Sequence, residues 1–270
     1  MSRISPQEFF NGFVKELEDT PHLWGYYKFH TDRKSFAFRR NYFLRRLEFI
    51  ERHAGKPGNF LWDVGCGFGT SAIFLALNGY RVYGSTLENS DDIGRRKAYW
   101  SRFGDVSGFD YAYENIFDME IPAERYDRIL VQDTLHHIEP IDRGVKIIYK
   151  SLKKNGALIA IEENGNNIVQ RVMLYKRRGR HRIITVHDGK LDKDILIGNE
   201  NIRPLQQWRE ILEGDNTRIT HYEYIRLFYP FFWNVFGSSA MEAKEKSLWQ
   251  KSSFLREYFY FGINLCVEKS

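Results

Sequence analysis

The sequence predicts a doubly wound parallel α/β sheet carrying an N-terminal helical cap. Three observations lead there. From Phe60 onward, short β-prone apolar runs alternate with helical stretches five times; the turn Gly65-x-Gly67-x-Gly69 joins the first run directly to a helix; and residues 1–56 repeat apolar residues every three to four positions until Gly55 to Asn59 break the pattern. With 270 residues and 43% hydrophobic content, the chain is long enough to bury one large core.

In chain order, Ser5 to Leu17 and Arg33 to His53 read as helices, with Phe36, Phe43, Leu44 and Leu47 sharing a face. Strands are predicted at Phe60 to Val64, Arg81 to Leu87, Phe109 to Tyr113, Tyr126 to Val131 and Ala157 to Ile161. Helices fill the gaps at Thr70 to Asn78, Asp91 to Phe103 and Ile141 to Lys154. In the last, Ile141, Val145, Ile148 and Leu152 form one stripe, Pro140 suits the first turn and Asn155-Gly156 supplies the stop. After the fifth strand come a basic helical segment, a hairpin turning at Asp188-Gly189, a helix near Pro204 to Leu212, a strand near Arg218 to Leu227 and a last strand in Tyr258 to Lys269. The sheet therefore reaches seven strands. Residues 57–270 form its domain, and insertions at about 164–200 and 228–256, after strands five and six, form a substrate lid.

The glycine turn at the carboxyl end of a strand lets the backbone approach a nucleotide cofactor. A second strand ends at Glu88, nineteen residues after Gly69, where a carboxylate can accept both ribose hydroxyls. A dinucleotide fingerprint requires glycine at position 70, which is Thr70 here. Asp63, two residues before the first glycine, faces a pyrophosphate badly and suits a ligand ending in an ammonium group.

With its acid-x-Gly-x-Gly-x-Gly motif at Asp63, Gly65, Gly67 and Gly69, the chain resembles the class I S-adenosylmethionine-dependent methyltransferases, which share a Rossmann-like sheet. The resemblance covers about residues 58–163. It implies S-adenosyl-L-methionine as cofactor, Glu88 as ribose ligand, Asn115 and Ile116 for the adenine amine and ring, and Gln132 for a backbone contact to the methionine moiety. Asn115 departs from the aspartate usual in the family; its amide oxygen can accept the same hydrogen bond.

Two histidines, His136 and His137, follow the fourth strand on the rim where an open α/β sheet carries its chemistry. Adjacent side chains on a helix diverge by about 100°, which predicts one ring in the pocket and one packed or hydrogen-bonded beneath it. Histidine is a base matched to neutral pH, and a phenol lies only some three to four pKa units above it, about 5 kcal/mol. A carboxylate that fixes its tautomer helps, and Glu162 and Glu163 end the neighbouring fifth strand. The pattern resembles natural-product sugar O-methyltransferases, in which a His-His pair and an acid after the fifth strand surround the acceptor hydroxyl. By position that implies His136, His137 and Glu162, with glutamate in place of aspartate.

The expected activity is therefore methyl transfer to a hydroxyl of a small sugar- or phenol-type acceptor, with no metal, since no ligand spacing supports one. Two further readings stay open: C- or O-methylation of a quinone, pigment or lipid-linked ring, and a catalytically silent partner subunit. Nucleic acid is disfavoured because Gln132 to Pro140 lacks the Asn/Asp-Pro-Pro-aromatic run typical of enzymes that methylate nucleobase amines. Net charge is +5, mostly interspersed, but Tyr175 to Arg182 packs five Lys/Arg into eight positions, enough to attract a phosphate, an anionic lipid or an acidic carrier. A membrane surface and a homodimer are compatible with this. The N-terminal residues lack a signal-peptide pattern and no 18-residue apolar run occurs, which points to the cytoplasm. Cys66 and Cys266 read as buried free thiols. His22 to Phe29 is a candidate to close over the cofactor.

Overall fold

The computed structural model describes residues 3–29, 35–88, 91–229, 232–233 and 238–270. Three helices precede the sheet: α1 (Pro6–Glu18), α2 (Pro21–Tyr27) and α3 (Phe36–His53). Ser5 starts α1 with a capping box, its hydroxyl accepting from the Glu8 amide while Glu8 accepts from the Ser5 amide. The first residues of the second predicted helix, 33 and 34, lie outside the described residues.

Strands β1 (Phe60–Val64), β2 (Arg81–Thr86), β3 (Phe109–Tyr113), β4 (Tyr126–Gln132) and β5 (Leu152–Glu163) are joined through α4 (Thr70–Leu77), α5 (Asp91–Trp100) and α6 (Ile141–Ser151). Then come α7 (Ile168–Arg178), a hairpin of β6 (Ile183–Asp188) and β7 (Lys193–Gly198), α8 (Leu205–Leu212), β8 (Thr217–Ile225), α9 (Ser238–Lys251), α10 (Ser253–Phe259) and β9 (Gly262–Lys269). Of the second expected insertion, residues 230–231 and 234–237 lie outside the described residues. The sheet runs β3-β2-β1-β4-β5-β9-β8, with β9 antiparallel to both its neighbours and the other pairings parallel. Strand order reverses between β1 and β4, so ligand space opens at their carboxyl ends.

Alternation along the strands gives two apolar layers. Leu61, Leu130 and Ile159 face α1, α3, α4 and α5, whereas Trp62, Ile129 and Leu158 face α6 and α8. The cap is tied to the sheet by a buried ion pair: Arg96 of α5 donates to both carboxylate oxygens of Glu16, at 2.8 and 2.9 Å, and to the carbonyl of Phe68 and hydroxyl of Thr70 at 2.7 Å. These last contacts hold the glycine turn. No helix of the described residues is long and apolar enough to cross a membrane.

Three element ends differ notably from the sequence reading. Helix α6 stops at Ser151, and Leu152 already pairs with Tyr126. Asn155, with φ of 59°, lies within β5 beside a register shift rather than capping the helix, because the sheet offers this backbone a hydrogen-bonded ladder. Strand β2 ends at Thr86, leaving Glu88 exposed just beyond it, and α5 ends at Trp100 instead of Phe103.

Candidate active site

Strand β1 delivers a buried acid into the glycine turn. Asp63 is 2% exposed, and burial alone pushes its carboxyl up to about 7. No cation of the described chain holds it down. Gly65 has φ of 69°, and a Cβ there would lie 2.4 Å from the Thr134 side chain. Gly69 has φ of 73° and starts α4 with the Phe109 ring where a Cβ would go. Over the turn sits α2: the Tyr26 ring meets Phe68 edge-on at 4.8 Å, its hydroxyl lies 3.8 Å from where a Gly67 Cβ would be, and Tyr27 shares a 2.5 Å hydrogen bond with Thr70. Cys66 is half-buried, its thiol pushed up by burial and then by Asp63, and Cys266 is buried; both are free.

A cleft with an empty volume of about 510 Å³, mouth included, runs from this turn across the sheet edge. Gly65, Thr86, Asn115, Ile116 and His137 line it, and Ile195 to Ile197 of β7 roof it. Asn115 is buried, and its amide oxygen accepts from the Phe117 amide at 3.0 Å, which leaves a lone pair for a ligand. Gln132 accepts from the Ser71 hydroxyl at 3.0 Å. The first insertion thus contributes part of the cleft wall through β7. The hairpin is latched there by a bridge between Ile138 and Ile197, by Tyr113 donating to Asp188 at 2.7 Å, and by a Lys193–Asp118 ion pair.

Beyond β4 the chain makes one 3-10 turn, Leu135–His137, above the end of β5. Consecutive strand residues point to opposite faces, which separates the two rim acids. Glu162, fully buried, accepts from the Thr134 amide at 3.1 Å, the Leu135 amide at 2.7 Å and His136 Nδ1 at 2.5 Å. Glu163 instead meets Arg226 at 3.4 Å and accepts from Gln170. His136 is buried, and its Nε2 lies 3.7 Å from Glu200. Burial opposes its charging, but the Glu162 carboxylate outweighs this, with Asp133 and Glu200 adding to it, and its pKa rises to about 9. His136 is therefore a cation at neutral pH. His137 differs. Its Nδ1 lies 2.8 Å from the carbonyl of Gly198, which can only accept, so Nδ1 carries a proton and the lone pair of the neutral ring is on Nε2.

The raised pKa of His136 fixes a sign for stability. A group whose pKa is higher in the fold contributes fully below its unfolded value, 6.5 here, and loses that contribution as pH rises through about 9. We expect Glu162→Gln to remove roughly 3 kcal/mol of such linkage. Urea unfolding of both proteins should show a gap that shrinks between about pH 6 and about pH 10. A gap independent of pH would mean that His136 is not charged.

The structure brings His136, His137 and Glu162 together; of the predicted residues Gly65, Asn115, Ile116 and His137 line the cleft, whereas Asp63, Gly67, Gly69, Gln132, His136 and Glu162 do not, and Glu88 is exposed just beyond β2. Sequence reasoning missed Glu200, whose φ of 54° is unusual for a non-glycine, and Gly198. Nothing local announces them, since they arrive from the hairpin more than sixty residues downstream. Donor atoms of His136, His137 and Glu200 lie within 4.8 Å of one another, a proximity that spacing along the chain could not reveal. Also missed was Arg46 of α3, which stacks on Tyr42 at 4.0 Å and ion-pairs with Asp133 beside His136.

Comparison with known proteins shows likeness to the S-adenosylmethionine-dependent methyltransferases, the class the sequence resembles. Residues 62–160 match the family described as Methyltransferase domain, a stretch reaching from β1 into β5. A ubiquinone biosynthesis O-methyltransferase of Coxiella burnetii is 28% identical over 122 residues, 45% of this chain and 50% of that protein, so the match spans half the relative's length. Among solved structures, a geranyl diphosphate C-methyltransferase from Streptomyces coelicolor A3(2), complexed with Mg2+, geranyl-S-thiolodiphosphate and S-adenosyl-L-homocysteine, superposes with a TM-score of 0.60 at 16% identity, covering 88% of this chain and 80% of that one. The [4+2]-cyclase SpnF superposes with a TM-score of 0.56 at 18% identity, covering 86% and 81%. At these identities the likeness is one of fold, and the cyclase shows that this fold hosts more than one chemistry.

Proposed function

We propose that the chain methylates a hydroxyl oxygen of a small ring-bearing acceptor, with S-adenosylmethionine as donor and His137 as the group that receives the hydroxyl proton. The observation that carries this reading is that His137 lines the cleft with its Nδ1 proton held by the Gly198 carbonyl, which leaves Nε2 of the neutral ring as the basic atom. Asp63 suits the ammonium of the cofactor, the glycine turn its close approach, Glu88 its ribose, Asn115 and Ile116 its adenine, and Gln132 its methionine end. When bound, S-adenosylmethionine supplies a methyl group on a positively charged sulfur.

His137 Nε2 removes the proton as the oxygen becomes nucleophilic, worth typically 10²–10⁴ in rate. The Gly198 carbonyl stabilises the imidazolium that results. His136, already a cation held by Glu162, does not serve as a base at neutral pH; it is a positioning residue that keeps positive charge beside the developing oxyanion. This divides the roles that position alone gave to both rings. The apolar hairpin keeps water from the cofactor end. The distant O-methyltransferase relative, whose name specifies ubiquinone biosynthesis, supports a phenol-type acceptor over a sugar.

The test is S-adenosylhomocysteine release over a panel of phenols, quinols and sugar nucleotides. We expect His137→Ala to lower kcat by roughly 10²- to 10⁴-fold with cofactor affinity retained. Turnover that survives this substitution would move the reading to ring C-methylation or to catalysis by positioning. Cofactor binding without turnover on any acceptor would favour a silent partner subunit.

A further inference from the structure

Helix α7 displays an apolar stripe to solvent. Ile168, Val172 and Tyr175, spaced i, i+4 and i+7, share one face, and with Met173 they are 44 to 62% exposed. The opposite side carries the packing: Gln170 is buried and Leu174 half-buried. The helix is held firmly, with Asn167 capping it through the Gln170 amide at 2.9 Å and donating to the carbonyl of Phe259 at 2.8 Å. Phe254, on the α10 that packs against α7, is also 60% exposed. Scattered exposed apolar residues are ordinary, but a stripe of them on an ordered helix needs an occupant.

Charge identifies the occupant. From Asn164 to His187 the chain has no acidic residue and six Lys/Arg, all between Arg171 and Arg182. Arg171 and Lys176 flank the stripe on its two sides, Arg180 follows the helix, and none of the three has an acidic partner among the described residues. An apolar face bordered by cations fits an interface of acyl chains and anionic headgroups. Face-to-face pairing of two copies would instead press these cations together.

We propose that α7 docks the protein onto an anionic lipid surface, its stripe entering the headgroup boundary and its flanking cations meeting lipid phosphates. This goes beyond the methyl-transfer reading and does not depend on it. Docking would set the lid against the bilayer, because Arg178 donates to the Glu200 carbonyl at 3.2 Å and so links α7 to the loop beside His136.

Co-sedimentation with vesicles tests the proposal, using phosphatidylcholine alone or with about one-third phosphatidylglycerol. The full chain should bind the anionic vesicles and not the neutral ones, and added salt should weaken binding. Removing three cations as Arg171→Gln, Lys176→Gln and Arg180→Gln should cost roughly 100-fold in partitioning, about five-fold for each. The pair Val172→Asp and Tyr175→Asp should cost at least about ten-fold. Unchanged circular dichroism and unchanged S-adenosylhomocysteine affinity would show that the variants are folded. Absence of binding by the unmodified chain, or equal binding to both vesicle types, overturns the proposal. So does a dimer in sedimentation velocity that the Val172→Asp and Tyr175→Asp pair dissolves, which would assign the stripe to a second copy.

Discussion

Replacing Asp63 with asparagine is expected to make the ligand-free protein more stable and its hold on S-adenosylmethionine much weaker. Burial raises this carboxyl to about 7, so ionising it is unfavourable in the fold, and the destabilisation grows as pH rises from the ordinary 3.8 through about 7. An isosteric amide avoids that cost, a gain on the order of 2–4 kcal/mol at neutral pH. The same substitution removes the charge that β1 offers to a ligand ammonium. Losing one partner of a desolvated charge pair costs about 2–5 kcal/mol, ~30-fold or more in affinity. Thermal unfolding with and without S-adenosylhomocysteine checks both signs in one experiment. A variant that binds as tightly as the parent would remove Asp63 from the cofactor site, whereas one less stable without ligand would make it a structural acid.

Glu162→Ala should be the most damaging single change on the rim. Its carboxylate is fully buried and accepts from two backbone amides and one imidazole, all of which would lose their acceptor together. Breaking one side of such a buried network costs about 3–5 kcal/mol, which for a chain of this size is on the order of 10 °C in Tm. Glutamine should recover only the part that belongs to the two amides, because its amide oxygen can still accept from Thr134 and Leu135. It should not recover the pH dependence that belongs to His136. Urea unfolding of the two variants at neutral pH separates these effects. If alanine were tolerated within about 1 kcal/mol, Glu162 would not be holding the 3-10 turn.

Legibility in the sequence follows the range of the forces involved. The five strands and their helices could be read because each depends on periodicity within a dozen residues, and the glycine turn because positive φ at Gly65 and Gly69 demands glycine whatever surrounds it. The end of α6 could not. Asn155-Gly156 is a sound local stop signal, yet Leu152 pairs with Tyr126 across the sheet, and that ladder ends the helix three residues early. Propensity yields there to a partner 26 residues away in the chain.

The site divides in the same way. The sequence by itself determined that a strand, a glycine turn, an acid before it, a second carboxylate and a histidine pair would lie towards the carboxyl ends of the strands, because the α/β alternation places every strand's carboxyl end on the same side. Tertiary structure alone decided the partner of each histidine. Glu162 reaches His136 from the adjacent strand and raises its pKa, while the Gly198 carbonyl reaches His137 from the hairpin and holds the proton on its Nδ1. The two neighbouring rings acquire different partners because those groups meet them only in space, from 26 and 61 residues away along the chain.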